Sequence, residues 1–280
     1  DLNYVYMPWI SPTFKHDYID SVSNRNAILR YNYEDLFIMK LGLAMVYNYG
    51  DNAFRMNIET AGNVLNGMAH TLNLHRNDEG HYTFINIAYA QYVKFDFDYT
   101  HSVHFDTNNS LVLHGDFGIA YPYGNSDILP FEKRYFSGGA NSVRGWGVRE
   151  LGPGSYKGQN GRIDFINQTG DMKLTMNVEY RSSLFWKFEG AAFIDAGNIW
   201  TLRNYADQPG GQFKFDKFYK QIAVSYGLGL RLNFNYFILR LDGGMKAVNP
   251  SYESNADHFP IVHPYFSRDF SFHFAVGMPF

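Results

Sequence analysis

Apolar and polar residues alternate with a period of two along much of the chain, the spacing of side chains on a β-strand. In the clearest segment Met172, Leu174, Met176, Val178 and Tyr180 take one face and Lys173, Thr175, Asn177, Glu179 and Arg181 the other. Val93, Phe95, Phe97 and Tyr99 alternate in the same way with Lys94, Asp96, Asp98 and Thr100. So do Val224, Tyr226, Leu228, Leu230 and Leu232 with Ser225, Gly227, Gly229, Arg231 and Asn233. The pattern predicts strands near residues 3–17, 25–33, 36–49, 53–65, 84–104, 109–122, 172–184, 186–200, 220–234, 236–248 and 269–280. Bacterial single-chain barrels have even strand numbers, and 84–104 is long enough to hold two strands, so twelve are expected. Short links such as Glu34-Asp35 read as hairpin turns. The longest link, 123–171, is a glycine-rich loop. No linker or shift in composition marks a second domain, so residues 1–280 read as one.

A soluble sandwich alternates too. Two features favour a transmembrane antiparallel β-barrel instead. The strands are long, with aromatics towards the ends of their apolar faces, and the polar faces mix Gly, Lys, Arg and Asp as a wet lumen would. Composition points the same way. Only 18 % of residues are charged while 18 % are aromatic, and aromatic girdles at both membrane interfaces account for such a load. No apolar run reaches the length of a transmembrane helix. A net charge of −3 gives no electrostatic case for nucleic acid. The absence of cysteine excludes disulfides and thiolate sites. The first residue is Asp1, so a mature or trimmed chain that has lost any signal peptide is expected.

The long loop holds the most specific run. It reads Leu129-Pro130-Phe131-Glu132-Lys133-Arg134-Tyr135-Phe136-Ser137-Gly138-Gly139-Ala140-Asn141-Ser142-Val143-Arg144-Gly145-Trp146 and goes on to Leu151-Gly152-Pro153-Gly154-Ser155. This resembles the surface-antigen barrel of the BamA/TamA superfamily, at the loop that folds into the lumen with a Val-Arg-Gly-aromatic tip. Trp146 stands where Phe or Tyr is usual. The phrasing, with Gly170-Asp171 leading into the next strand, is similar to the Bacteroidota branch. Glu179, in Asn177-Val178-Glu179-Tyr180, and Asp195, in Phe193-Ile194-Asp195-Ala196-Gly197-Asn198, resemble the family acids that meet the loop arginine. The resemblance therefore implies an Arg144–Glu179–Asp195 cluster pinning Val143, Arg144, Gly145 and Trp146 inside the barrel. A lone Arg-Gly would read as an ordinary surface loop; the whole run together with two matching acids makes the docked loop the better reading.

The C-terminal residues Phe270, Phe272, Phe274, Val276, Met278 and Phe280 alternate to the end, resembling the terminal signal strand of outer-membrane proteins. A closed barrel must also pair its first and last strands. Pro8 and Pro12 fall in the first candidate strand and Pro279 in the last, and proline has no N–H to donate. Either these prolines weaken a seam that opens laterally, or they merely end strands. Enzyme motifs are absent: no GxSxG, HExxH or Walker loop occurs, and His258 and His263 lack metal-ligand spacing. No catalytic activity, metal or cofactor is expected.

The resemblance covers about 36–280. It implies an outer-membrane location, with lipids including lipopolysaccharide around the barrel and unfolded outer-membrane or secreted proteins as clients. It implies insertion or translocation through the seam and the lumenal loop. The family's usual periplasmic polypeptide-transport-associated domains have no counterpart here, and its usual sixteen strands leave an N-terminally truncated sixteen-strand barrel as the alternative to twelve. A passive pore or structural barrel, and the barrel anchor of a larger secreted protein, are the rival functions. Small Gly190 and Ala192 on the outer face from Phe188 to Ile194 leave a homodimer open.

Overall fold

A computed structural model describes residues 2–5, 35–69, 71, 73–78, 80–158, 161–234, 236–252 and 255–280. It is all-β. The strands are β1 Leu2–Val5, β2 Leu36–Tyr49, β3 Asn52–Ala61, β4 Thr83–Phe84, β5 Ile87–Tyr89, β6 Tyr92–His104, β7 Asn109–Pro122, β8 Met172–Ser183, β9 Phe188–Trp200, β10 Ala223–Asn233, β11 Ile238–Val248 and β12 Phe270–Val276. Hydrogen bonding orders them β12-β11-β10-β9-β8-β7-β6-β3-β2-β5-β4, with β1 on β2. The long strands run 10–14 residues, and a tilted strand needs about 9–11 to cross a bilayer. No helix among the described residues is long and apolar enough to cross.

Two compact units can be distinguished. The first comprises Asp1–Met45, Met56–Asp96 and Gly118–Arg134. In it β1 pairs antiparallel with β2, from Leu2 opposite Met39 to Val5 opposite Leu36. The predicted segment 84–104 is broken here, because β4 and β5 form a small hairpin and β5 runs parallel to the start of β2. The predicted segment 53–65 ends early as well. Gly62, at φ +73°, closes against the Ala90 carbonyl, and a short helix, Asn63–Met68, follows. A buried carboxylate, Glu59, accepts from the Tyr92 hydroxyl at 2.5 Å and pairs with Lys133 at 2.8 Å and Lys40 at 3.3 Å. Of the predicted strands 3–17 and 25–33, all but the residues of β1 lie outside the described residues, and so do Pro8 and Pro12.

The second unit comprises Val46–Arg55, Phe97–Phe117 and Tyr135–Phe280. Strands β8 to β12 form an antiparallel meander, and their register builds rows across the sheet. Asn177, Asp195, Ser225 and Lys246 make one row on the inner face. Glu179, Phe193, Gly227, Gly244 and Ser271 make the next, and Arg181, Ala191, Gly229, Asp242 and His273 the third. On the opposite face stand Met176, Val178, Ile194, Leu228, Phe272 and Phe274, all exposed. Polarity is thus inverted relative to a water-soluble sheet: Ile194 is 56 % and Leu228 72 % exposed while Glu179 and Asp195 are fully buried. That is the arrangement of a barrel wall with lipid outside.

The last strand is shorter than 269–280. Gly277 donates its N–H to the Ile238 carbonyl at 2.8 Å and then turns off the sheet at φ +94°. Pro279, which has no N–H, is buried beyond the end of β12 and takes no ladder position. Phe280 also leaves the alternation. Its ring stacks on His114 of β7, centroids 4.6 Å apart and planes 2° from parallel.

Candidate functional site

The loop after Tyr135 lies on the inner face of the second unit, fastened at its base and its tip. At the base Tyr135 and Gly170 exchange backbone hydrogen bonds at 2.9 Å. Ser137 bridges to Leu151. Gly138 and Gly139, at φ +93° and +99°, fold the chain back so that Gly139 donates to the Trp146 carbonyl. A Cβ on Gly138 would meet the Gly147 oxygen at 2.3 Å, so only glycine fits. Val143, Trp146, Leu151 and Ala223 form the apolar cluster that anchors the tip.

Arg144 sits between these fastenings, fully buried. Its guanidinium fork takes Asp195 through Nε at 2.9 Å and Nη2 at 2.8 Å, and its backbone N–H gives the same carboxylate a third bond at 3.0 Å. Nη1 donates to Glu179. The planar cation lies over the Phe193 ring, 3.5 Å from its centroid, a contact that a desolvated guanidinium makes favourable. A buried charge of this kind is tolerated only when its partners satisfy it on every side, and here they do.

The carbonyls of the tip are held as well. His273 Nε2 lies 2.9 Å from the Arg144 oxygen, Ser271 donates to the Gly145 oxygen at 3.0 Å, and Asn177 donates to the Ser142 oxygen at 2.9 Å. Space is made by glycine. A Cβ on Gly145 would meet the Ser225 Cβ at 2.6 Å, and one on Gly244 the Arg144 oxygen at 2.2 Å. Trp146 is buried, with Lys246 Nζ 5.3 Å from its ring centroid.

The structure therefore brings together Val143, Arg144, Gly145, Trp146, Glu179 and Asp195. It adds residues that the motif reading left out. Asp242 lies 3.7 Å from Arg144, 3.1 Å from Arg231 and 3.2 Å from Arg240. Arg231 reaches Glu179 at 2.9 Å, Arg181 reaches it at 2.8 Å, and Arg240 donates to Asn141 of the loop. The period-two pattern already placed Arg231 on the polar face; the run Leu239-Arg240-Leu241-Asp242 carries the same signal for two more. Phe270, Phe272 and Phe274 stand on the outer face of β12, away from this cluster, with Phe270 stacked on Phe266.

The arrangement positions and holds a loop; among the described residues no group of His, Cys, Asp and Glu is placed to bind a metal.

Comparison with known proteins gives this geometry a family. A model of the Omp85 superfamily domain matches residues 79–280. The outer membrane protein assembly factor BamA of Neisseria meningitidis serogroup B is 32 % identical over 107 residues, which are 35 % of this chain and 12 % of that protein. Among solved structures, CdiB from Acinetobacter baumannii aligns with a TM-score of 0.48 at 16 % identity, over 86 % of this chain and 33 % of that one. BamA from Haemophilus ducreyi lacking POTRA domains 1–3 aligns with a TM-score of 0.49 at 12 % identity, over 86 % of this chain and 54 % of that one. The chain belongs to the Omp85 superfamily and is a β-barrel protein of the bacterial outer membrane.

Proposed function

We propose that the chain assembles proteins into the outer membrane or passes them across it, and that the docked loop is the part on which this activity depends. The observation that carries the reading is the seating of Arg144. A loop that only covered a pore would need no buried cation held by four hydrogen bonds to β8 and β9, an ion pair to β11 and a ring face. In this reading the loop fixes the inner rows of β8 to β11 and leaves the sheet edge to receive client strands. Pairing at that edge would spare the client's backbone groups from facing lipid unsatisfied. Unfolded outer-membrane or secreted proteins are the clients, and the surrounding lipids, lipopolysaccharide included, are the medium in which they meet the edge.

The test is reconstitution of the chain into liposomes and measurement of the insertion rate of an unfolded small barrel protein. Acceleration over empty liposomes is expected, and an Arg144→Ala chain that still migrates as a folded barrel should lose it. No acceleration by the unaltered chain would return the molecule to the passive-barrel reading.

A further inference from the structure

His114 of β7 is buried on the inner face, and both its ring nitrogens face oxygen. Nδ1 lies 2.8 Å from Asn177 Oδ1 and Nε2 lies 3.0 Å from Asp98 Oδ2. The orientation of Asn177 is not free. Its Nδ2 donates to the Ser142 carbonyl at 2.9 Å and to Asp195 Oδ1 at 2.8 Å. Flipping the amide would set an oxygen against two acceptors, so Oδ1 must face the histidine, and the histidine must supply that proton. On the other side, Asp98 has a side chain 42 % exposed, where a carboxylate stays ionised at neutral pH. It accepts, so Nε2 donates as well. A ring that donates from both nitrogens is an imidazolium. Its face carries the parallel Phe280 ring, the position in which an aromatic stabilises a cation.

We propose that His114, doubly protonated, is a second positioning residue for the loop, joining it through Asn177 to β6 and to the tail that carries Phe280. The chain of bonds runs Asp98, His114, Asn177, then both Ser142 of the loop and the Asp195 that holds Arg144. Loss of either ring proton turns one of the two hydrogen bonds into an acceptor–acceptor contact, and the anchor loosens as pH rises. The charged groups around it are few. Asp98 faces the ring from β6, with Arg55 of β3 and Lys173 of β8 in its field. Asp116 on β7 is paired to Lys173. Arg144 and Arg181 also approach the Phe280 ring, 6.0 and 5.5 Å from its centroid. The inference deepens the reading of the loop given above and rests on it for its consequence in function alone.

Two measurements on the full chain in detergent micelles test it without any client protein. The first is the 15N spectrum of the histidine rings at pH 7, with His114→Gln to assign the signals. Both His114 nitrogens should be protonated, and a neutral ring would overturn the proposal. The second uses the absence of cysteine. A Val143→Cys chain places a single thiol at the buried tip of the loop, and its alkylation rate is divided at each pH by that of the urea-unfolded chain. The corrected rate should rise about tenfold as the ring loses its proton, the effect of one charged hydrogen bond. His114→Gln in that background should be fast and flat with pH. Phe280→Leu, which removes the ring face, should raise the corrected rate at pH 7. A rate flat with pH in the Val143→Cys chain, or unchanged by His114→Gln, would sink the idea. Failed insertion with the latch intact would instead count against the proposed function alone.

Discussion

At the residue scale the charged anchor of the loop tip is one guanidinium. Removing it by Arg144→Ala leaves Glu179 and Asp195 buried with less positive charge than they were built for, so the cost exceeds the loss of three side-chain hydrogen bonds. Breaking a buried pair of this kind costs about 3–5 kcal/mol. Urea unfolding of the chain in lipid should show a loss of that order. Arg144→Lys should recover only part of it, because an ammonium cannot span both carboxylates. Combining Arg144→Met with Glu179→Gln should cost less than the sum of the two single changes, since the pair is then removed together. Equal, additive losses would mean that the cluster is not a unit. Much of this site was legible: an arginine flanked by glycines, and two acids on the polar faces of well-marked strands, needed only the alternation and the motif. Asn177, His273 and Asp98 were not legible as partners. Each is an ordinary polar-face residue in sequence, and its role comes from a register across three or four strands that periodicity does not fix.

At the element scale the second unit was read closely, since β8, β10 and β11 fall within three residues of their predicted ends. The misses share a cause. The segment 84–104 breaks at Ala90-Gln91 because Gly62 presses on the Ala90 carbonyl and Ser126 takes the Gln91 N–H, contacts made from distant sequence. The terminal strand stops at Val276 because Gly277 turns in the left-handed region, while alternation continues past it on paper. Just before that strand, the short helix Phe266–Asp269 makes a prediction of its own. Asp269 is buried, which by itself would raise its carboxyl, but Arg268 and the Tyr265 N–H bond to it and hold it below the ordinary Asp value. A depressed carboxyl stabilises the fold above the unfolded value, about pH 3.9, and that contribution disappears as pH falls through the folded value. Asp269→Asn should therefore be less stable than the unaltered chain at pH 7, with the gap closing below about pH 4. Hydrogen exchange at the Tyr265 amide reports it directly. A gap that is constant from pH 7 to pH 3 would show that the carboxylate charge is not what holds the turn.

At the scale of the whole molecule the inversion of polarity is the property that the single contacts depend on. Arg144, Glu179, Asp195, Arg231, Arg240 and Asp242 are all at most 1 % exposed, while the large apolar side chains of the same strands point outward. In water such a sheet would hide its charges and display its hydrocarbon, the reverse of what folding in water rewards. The arrangement is stable only if the outer face is removed from water by lipid, and the cost of a charge there should then depend on depth. Leu228 lies mid-strand in β10, opposite Ala192 and Gly243. Leu228→Arg should cost about 2–4 kcal/mol, as a cation near the bilayer midplane does. Phe185 is as exposed as Leu228 but lies in the turn between β8 and β9. Phe185→Arg should cost about 0–1 kcal/mol, the figure for the interface. Exposure alone does not separate the two sites, so a difference between them measures the surroundings of the sheet and not its packing. Folding equilibria in urea with lipid vesicles read both values. If the two substitutions cost the same small amount, within about 0.5 kcal/mol as at water-facing surfaces, the outer face does not lie in a bilayer, and a client strand meeting the sheet edge would find water there instead of lipid.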